Sequence, residues 1–78
     1  MKNRTIAVDL AKNVFQIGVS DRSGHVEKTY RLSRAKFLGF FANQEPATVV
    51  MEACGSAHYW GRQIRELGHT VVLISRSM

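Results

Sequence analysis

A strand-like run that ends in an acidic residue and passes directly into a helical pattern is the feature that most constrains this fold. Residues Thr48 to Met51 are apolar or β-branched, which favours a buried strand, and Glu52 follows them. Small residues come next, and a helical pattern starts at Ser56. In an open α/β sheet, a strand, a tight turn and a helix together present side chains at the carboxyl edge of the strands. The stretch therefore predicts an α/β fold with Glu52 at that edge.

A second stretch near the start of the chain has the same design. Residues Arg4 to Leu10 alternate, with Ile6 and Val8 on one side and Asp9 on the other. Asp9 thus closes an apolar strand as Glu52 does, and we predict that the two acids belong to one site.

Hydrophobic periodicity divides the whole chain into strands and helices. The predicted strands are Arg4–Leu10, Val14–Ser20, Val26–Leu32, Ala47–Met51 and Thr70–Ile74. Short polar turns separate the first strands, at residues 11–13 and 21–24.

Helical spacing of apolar residues predicts two helices between these strands. The first follows Ser33 as N-cap and ends at Glu45-Pro46, because the residue before proline avoids the α region. The second follows Ser56 and stops at Gly68, and its apolar stripe is Trp60, Ile64 and Leu67.

The resulting order, β-β-β-α-β-α-β, predicts the arrangement of the sheet. Hairpins reverse the chain direction, whereas right-handed helical crossovers keep the last two strands parallel to the first. The implied strand order is 3-2-1-4-5, which brings Asp9 and Glu52 to adjacent carboxyl ends.

Length and composition restrict the class of protein. With 78 residues the chain forms at most one small domain, and it contains no apolar run of the roughly 18–20 residues that a membrane span needs. A single cysteine cannot form an internal disulfide, which favours a reducing cytoplasm. A net charge of +5 favours a polyanionic partner such as nucleic acid.

Two carboxylates brought together repel each other unless one is protonated or a cation lies between them. Mg²⁺ is the usual cation of sites built from carboxylate and phosphate oxygens, and paired metals serve phosphodiester chemistry. The pattern alone leaves another interpretation open, in which Asp9 and Glu52 cap helices or face solvent.

Three segments carry a resemblance to a known family. Asp9–Gln16, Met51–Trp60 and Leu67–Val71 closely resemble the N-terminal part of the DEDD transposases of the insertion-sequence 110 family. The match runs over essentially all 78 residues, and its second segment is the most specific. Those proteins begin with a RuvC-like, ribonuclease-H-fold domain. The resemblance implies that residues 1–78 are an incomplete part of such a domain, without the C-terminal transposase domain.

The same resemblance implies a function and a site. Asp9 and Glu52 correspond to the family's first and second catalytic acids, both Mg²⁺ (or Mn²⁺) ligands, and the third and fourth acids fall beyond this chain. The implied activity of the full-length protein is metal-dependent DNA strand cleavage and transfer in transposition. The implied partners are DNA, a structured guide RNA from the same element, and further copies in a homo-oligomer. We expect this chain alone to bind Mg²⁺ weakly and not to cleave DNA.

Several other polar residues are candidates for nucleic-acid binding, each with a simpler explanation. Lys12, Ser56, His58 and Arg62 could contact phosphate, but a turn lysine, a helix cap and helix-surface residues explain them too. His69 follows the helix stop, where a cation suits the helix dipole. A wider set could line a nucleic-acid face or simply face solvent: Arg31, Arg34, Lys36, Arg62, Arg65 and Arg76.

Two other functions stay open at this point. Actin-like sugar kinases share the β-β-β-α start and an early aspartate, but they need a glycine-rich phosphate turn where this chain has Ala11-Lys12-Asn13. The other alternative is a non-catalytic fragment that binds nucleic acid or a partner. It predicts nucleic-acid affinity that survives Asp9→Ala and the removal of Mg²⁺.

Overall fold

The computed structural model describes residues 4–10, 14–20 and 26–75. In chain order its elements are β1 (Thr5–Leu10), β2 (Val14–Ser20), β3 (Val26–Ser33), α1 (Arg34–Ala42), β4 (Thr48–Glu52), α2 (Ala57–Glu66) and β5 (Thr70–Ile74). The predicted order of elements is confirmed, with strand ends shifted by no more than one residue. The two predicted turns at residues 11–13 and 21–24 lie outside the described residues.

The five strands form one mixed sheet in the order β3-β2-β1-β4-β5. β1 pairs with β2, and β2 with β3, in antiparallel fashion, whereas β1–β4 and β4–β5 are parallel pairs. The predicted strand order is therefore confirmed. It follows from two antiparallel reversals and two helical crossovers between parallel strands.

Both helices cover the same face of the sheet. Phe37 and Phe41 of α1 and Trp60 and Ile64 of α2 are buried in one cluster with the inward side chains of the strands. The aromatic rings meet edge to face, with centroids 4.5 Å apart for Phe15 and Phe37. Such pairs add about 0.5–1.5 kcal/mol beyond the burial of area. The core members are Ile6, Val8, Phe15, Ile17, Val19, Phe37, Phe41, Ala47, Val49, Met51, Trp60 and Ile64.

The other face of the sheet, called the open face below, has no covering element among the described residues. Val72 and Ile74 of β5 are 40% and 49% exposed there, although both are large and apolar. The open face carries the alternate residues of the strands: Ala7, Asp9, Gln16, Gly18, Thr29, Arg31, Val50, Glu52, Val72 and Ile74.

The helix ends agree only partly with the sequence predictions. Ser33 and Ser56 occupy the N-cap positions, but neither side chain makes a capping hydrogen bond. α1 stops at Ala42, before Pro46, and the side chain of Asn43 donates to the Gly39 carbonyl oxygen at 3.1 Å.

The end of α2 confirms one prediction and corrects another. Gly68 has a φ of 100°, as expected for a helix stop, because glycine adopts positive φ without a Cβ clash. The prediction that Leu67 extends the apolar stripe is wrong, because this side chain is 41% exposed. The helix ends at Glu66, so Leu67 lies past the last turn that faces the core. Neither helix of the described ranges has the length and apolarity to cross a membrane.

Candidate active site

Asp9 and Glu52 lie side by side at the carboxyl edge of two parallel strands. Val8 of β1 is the register partner of Met51 in β4, and the two acids are the next residues along each strand. Both side chains are exposed. The predicted juxtaposition thus follows directly from the register of the β1–β4 pair.

Burial of their neighbours forces both acids onto the open face. Val8 is 6% exposed and Met51 is 1% exposed, so each side chain packs into the core below the sheet. Successive side chains of a strand point to opposite faces, and a register slip of one residue would bury the acids. The core therefore fixes the direction of both carboxylates.

The two acids share one shallow depression of about 350 Å³. Its floor is small or apolar, formed by Ala7, Val50 and the edge residue Ile74. The depression opens to solvent, and both carboxylates are accessible from it.

The donor set suits a hard divalent cation. Carboxylate oxygens are the ligands that Mg²⁺ takes, and Mg²⁺ usually keeps several waters while binding one or two carboxylates and substrate phosphates. Within residues 4–10, 14–20 and 26–75, no group of three or more His, Cys, Asp or Glu side chains is placed to hold a metal ion. The described residues therefore offer two carboxylates, which fits a partly hydrated ion and not a closed protein cage.

The other predicted nucleic-acid contacts fall in different places. Lys12 lies outside the described residues. Ser56 and His58 are exposed at the start of α2, just after β4, and Ser56 Oγ lies 3.8 Å from Cys54 Sγ. Arg62 lines a separate depression of about 270 Å³ with Arg65 and Glu66 on α2.

Gln16 and Arg31 also lie near the acids, although the sequence alone does not place them there. Gln16 of β2 is the register partner of Asp9, and Arg31 of β3 is the partner of Gln16. All three line one depression of about 410 Å³ on the open face. The β2–β3 register shifts between Val19 and Ser20, so counting outward from the predicted hairpin does not place Arg31 opposite Gln16.

His69, which the sequence suggested as a cation suited to a helix end, has a structural role in the buried interior. It is 3% exposed, and its Nδ1 accepts a hydrogen bond from the Ala47 backbone N–H at 3.1 Å. Its Nε2 lies 2.8 Å from the Phe41 carbonyl oxygen. Because Nδ1 accepts, Nε2 must carry the proton that is donated to Phe41, which makes the ring neutral.

Comparisons with known proteins find that the chain is similar to part of several transposases. It is 56% identical over 70 residues to the Pseudomonas aeruginosa protein named "Probable family 20 transposase". The matched residues are 90% of this chain and 21% of the relative. It is 41% identical over 70 residues to the transposase for insertion sequence element IS1328 of Yersinia enterocolitica, again 90% of this chain and 21% of the relative.

A third relative extends the same pattern. The transposase for insertion sequence element IS1111A of Coxiella burnetii is 40% identical over 72 residues, which are 92% of this chain and 20% of the relative. The chain spans about a fifth of the length of these curated relatives. No family model matches it.

Identities of 40–56% over nine tenths of the chain confirm the resemblance to insertion-sequence transposases. The match extends over nine tenths of the chain, which is too long to leave out either Asp9 or Glu52. The chain is homologous to a segment of these transposases.

Proposed function

We propose that this chain forms part of a DNA transposase in which Asp9 and Glu52 act on a DNA phosphodiester. The observation that carries the proposal is the parallel pairing of Val8 with Met51, which places both acids on one face at one edge of the sheet. Similarity to proteins named transposases supplies the reaction class. The resemblance to the insertion-sequence 110 family supplies the RuvC-like, ribonuclease-H-like domain type for residues 1–78.

Mg²⁺ or Mn²⁺ is the cofactor of this proposal. Asp9 and Glu52 would hold it through carboxylate oxygens, which match the ligand preference of both ions. When bound, such an ion stabilises the negative charge that develops on a phosphodiester and activates the attacking oxygen. The contribution of the protein is to fix the two carboxylates on neighbouring strands and to leave their shared depression open to a strand of DNA.

DNA is the polyanion that the proposal names. A net charge of +5 favours binding to a phosphate backbone, because Lys and Arg side chains of the protein displace counterions that are condensed on the DNA. The guide RNA, the homo-oligomer and the cytoplasmic location belong to the full-length protein and stay predictions. The expectation that the 78-residue chain alone does not cleave DNA also stays a prediction, which a nuclease assay on the chain tests directly.

The transposase proposal is favoured over the sugar-kinase alternative by the relatives, which are named for transposition. The non-catalytic alternative differs in one measurable respect. It predicts no dependence of function on Asp9 or Glu52, whereas the transposase proposal requires both.

A strand-excision assay in a full-length background tests the proposal. The chain replaces the matching part of the Pseudomonas aeruginosa relative, which is 56% identical to it over 70 residues. We expect Asp9→Asn and Glu52→Gln each to abolish excision of the element. Glu66→Gln serves as the control, because Glu66 is an exposed acid on α2 and does not line the acid depression. Full excision activity in both acid variants would refute the catalytic role.

A further inference from the structure

A row of polar side chains runs across the open face from the two acids toward β3. Asp9 pairs with Gln16 across the β1–β2 ladder, and Gln16 pairs with Arg31 across the β2–β3 ladder. Glu52 is the next member on the other side of Asp9, at the end of β4. The row therefore passes from negative charge through a neutral amide to positive charge over four neighbouring strands.

The surface beside this row is shaped for the close approach of a polymer. The next row on the same face lies two residues away along each strand and consists of Ala7, Gly18 and Thr29. All three residues are small. Together with Asp9, Gln16 and Arg31 they line the depression of about 410 Å³. No bulky side chain of this second row separates the acids from Arg31.

Arg31 is distinguished from the other basic residues of the described ranges by its position. Arg34 and Lys36 lie on α1, and Arg62 and Arg65 lie on α2, so they belong to the helical layer. Lys28 of β3 is the register partner of the buried Val19 and so lies on the face that the helices cover. Arg4 precedes β1, at the opposite end of that strand from Asp9. Arg31 is exposed on the open face, and among residues 4–10, 14–20 and 26–75 it has no acidic partner within ion-pair distance. Its guanidinium is thus available for a ligand on the same face as the acids.

The spacing of the strands decides which phosphate Arg31 can reach. Two strand spacings of about 4.8 Å separate β1 from β3, so the backbones at Asp9 and Arg31 are roughly 10 Å apart. One strand of duplex DNA carries a phosphate for about every 3.4 Å of helix axis. A DNA strand with one phosphate at the acids therefore presents a different phosphate, about one to three nucleotides away, to Arg31.

We propose that Arg31, with Gln16 beside it, binds a backbone phosphate of the DNA strand about one to three nucleotides from the phosphate that lies at Asp9 and Glu52. A guanidinium forms bidentate hydrogen bonds with phosphate oxygens, and the Gln16 amide adds a neutral donor between the charges. Arg31 is a positioning residue: it fixes the register of the strand on the sheet and takes no part in bond breaking. The inference rests on the proposed function for the identity of the polymer.

Binding of DNA without divalent metal tests this inference separately from the catalytic role of the acids. The 78-residue chain is titrated into a fluorescein-labelled 30-base-pair duplex in EDTA, and anisotropy gives the dissociation constant between 50 and 200 mM salt. We expect Arg31→Gln to weaken binding several-fold at 50 mM salt. The slope of log affinity against log salt should become shallower by about 0.9, the value for one lost phosphate contact. Arg31→Lys should keep most of the slope, because it keeps the charge.

Arg65→Gln is the matched control, since it removes one exposed arginine from α2 and leaves the open face intact. An unchanged slope in Arg31→Gln, an equal loss in Arg65→Gln, or no DNA binding by the wild-type chain at 50 mM salt would each overturn the proposal. Asp9→Asn should bind DNA at least as tightly as wild type in EDTA, because a negative charge near the phosphates is removed. If Asp9 and Glu52 bound no metal ion, the effect of Arg31→Gln on the slope of log affinity against log salt would be unchanged. The two proposals therefore fail independently.

Discussion

The Nε2 atom of His69 donates a hydrogen bond to the carbonyl oxygen of Phe41 across 2.8 Å in the buried interior. With the Ala47 N–H bonded to its Nδ1, the ring joins the end of α1 to the starts of β4 and β5. The ring holds together the end of the sheet opposite the acids, and β4 is the strand that ends in Glu52.

Replacement of His69 by alanine should destabilise the fold strongly. The change leaves the Ala47 backbone N–H without its partner and removes one of the two hydrogen bonds to the Phe41 carbonyl oxygen, which also accepts from the Gln44 N–H. It also leaves a cavity beside Phe41, whose ring centroid is 5.6 Å from that of His69. We expect a loss of about 2–4 kcal/mol in the free energy of unfolding. Urea unfolding followed by the fluorescence of Trp60, the one tryptophan, measures it. His58→Ala, at an exposed site, should change the same quantity by less than about 0.5 kcal/mol, and equal effects of both substitutions would contradict the structural role.

Gly61 of α2 is packed tightly against side chains of the sheet. A Cβ at this position would lie 3.3 Å from Val71 Cγ1 and 3.5 Å from Met51 Cε. Gly61→Val therefore overpacks the α2–sheet interface, and we expect a loss of about 1–3 kcal/mol in unfolding free energy. Denaturation in urea gives the value.

Gly39 provides the opposite case on α1. Apart from its chain neighbours and the backbone of its own helix, no atom lies within 4 Å of a Cβ built there, so Gly39→Ala adds helix propensity without a clash. A gain of about 0.5–1 kcal/mol is expected in the same urea titration. If Gly39→Ala destabilised the chain while Gly61→Val did not, the assignment of the buried faces of the two helices would be wrong.

Asp9→Asn should leave the fold essentially unchanged. The side chain is exposed on the open face and belongs to none of the core contacts. We expect the free energy of unfolding to change by less than about 0.5 kcal/mol, as for most surface substitutions. Thermal unfolding by circular dichroism measures this, and a large loss would show that Asp9 is a structural residue.

Most of the fold can be predicted from the sequence, because side-chain periodicity and the direction of each connection depend on residues that are near one another in the chain. Alternation of Ile6 and Val8 with Ala7 and Asp9 fixes the faces of β1, and helical crossovers fix the parallel strands. These two rules bring Asp9 beside Glu52 if β4 lies next to β1, and the structure has that strand order.

The remaining features depend on contacts between distant residues. His69 becomes buried because Phe41 and Ala47, separated from it by 28 and 22 positions, close around it. Leu67 has the right spacing for the stripe of α2, but the core does not extend past the end of that helix. Arg31 reaches the acid row only through two successive strand registers, which its position in the sequence does not reveal.

Titration of the folded chain with Mg²⁺, followed by ¹H–¹⁵N NMR, tests the central claim most directly. The claim is that Asp9 and Glu52 form one cation site. It predicts that signals near the ends of β1 and β4 shift together along one binding curve, and that Asp9→Asn or Glu52→Gln abolishes both sets of shifts. Glu66→Gln should leave the curve unchanged. Shifts at one strand end alone, or at neither while the chain is folded, would contradict a shared site.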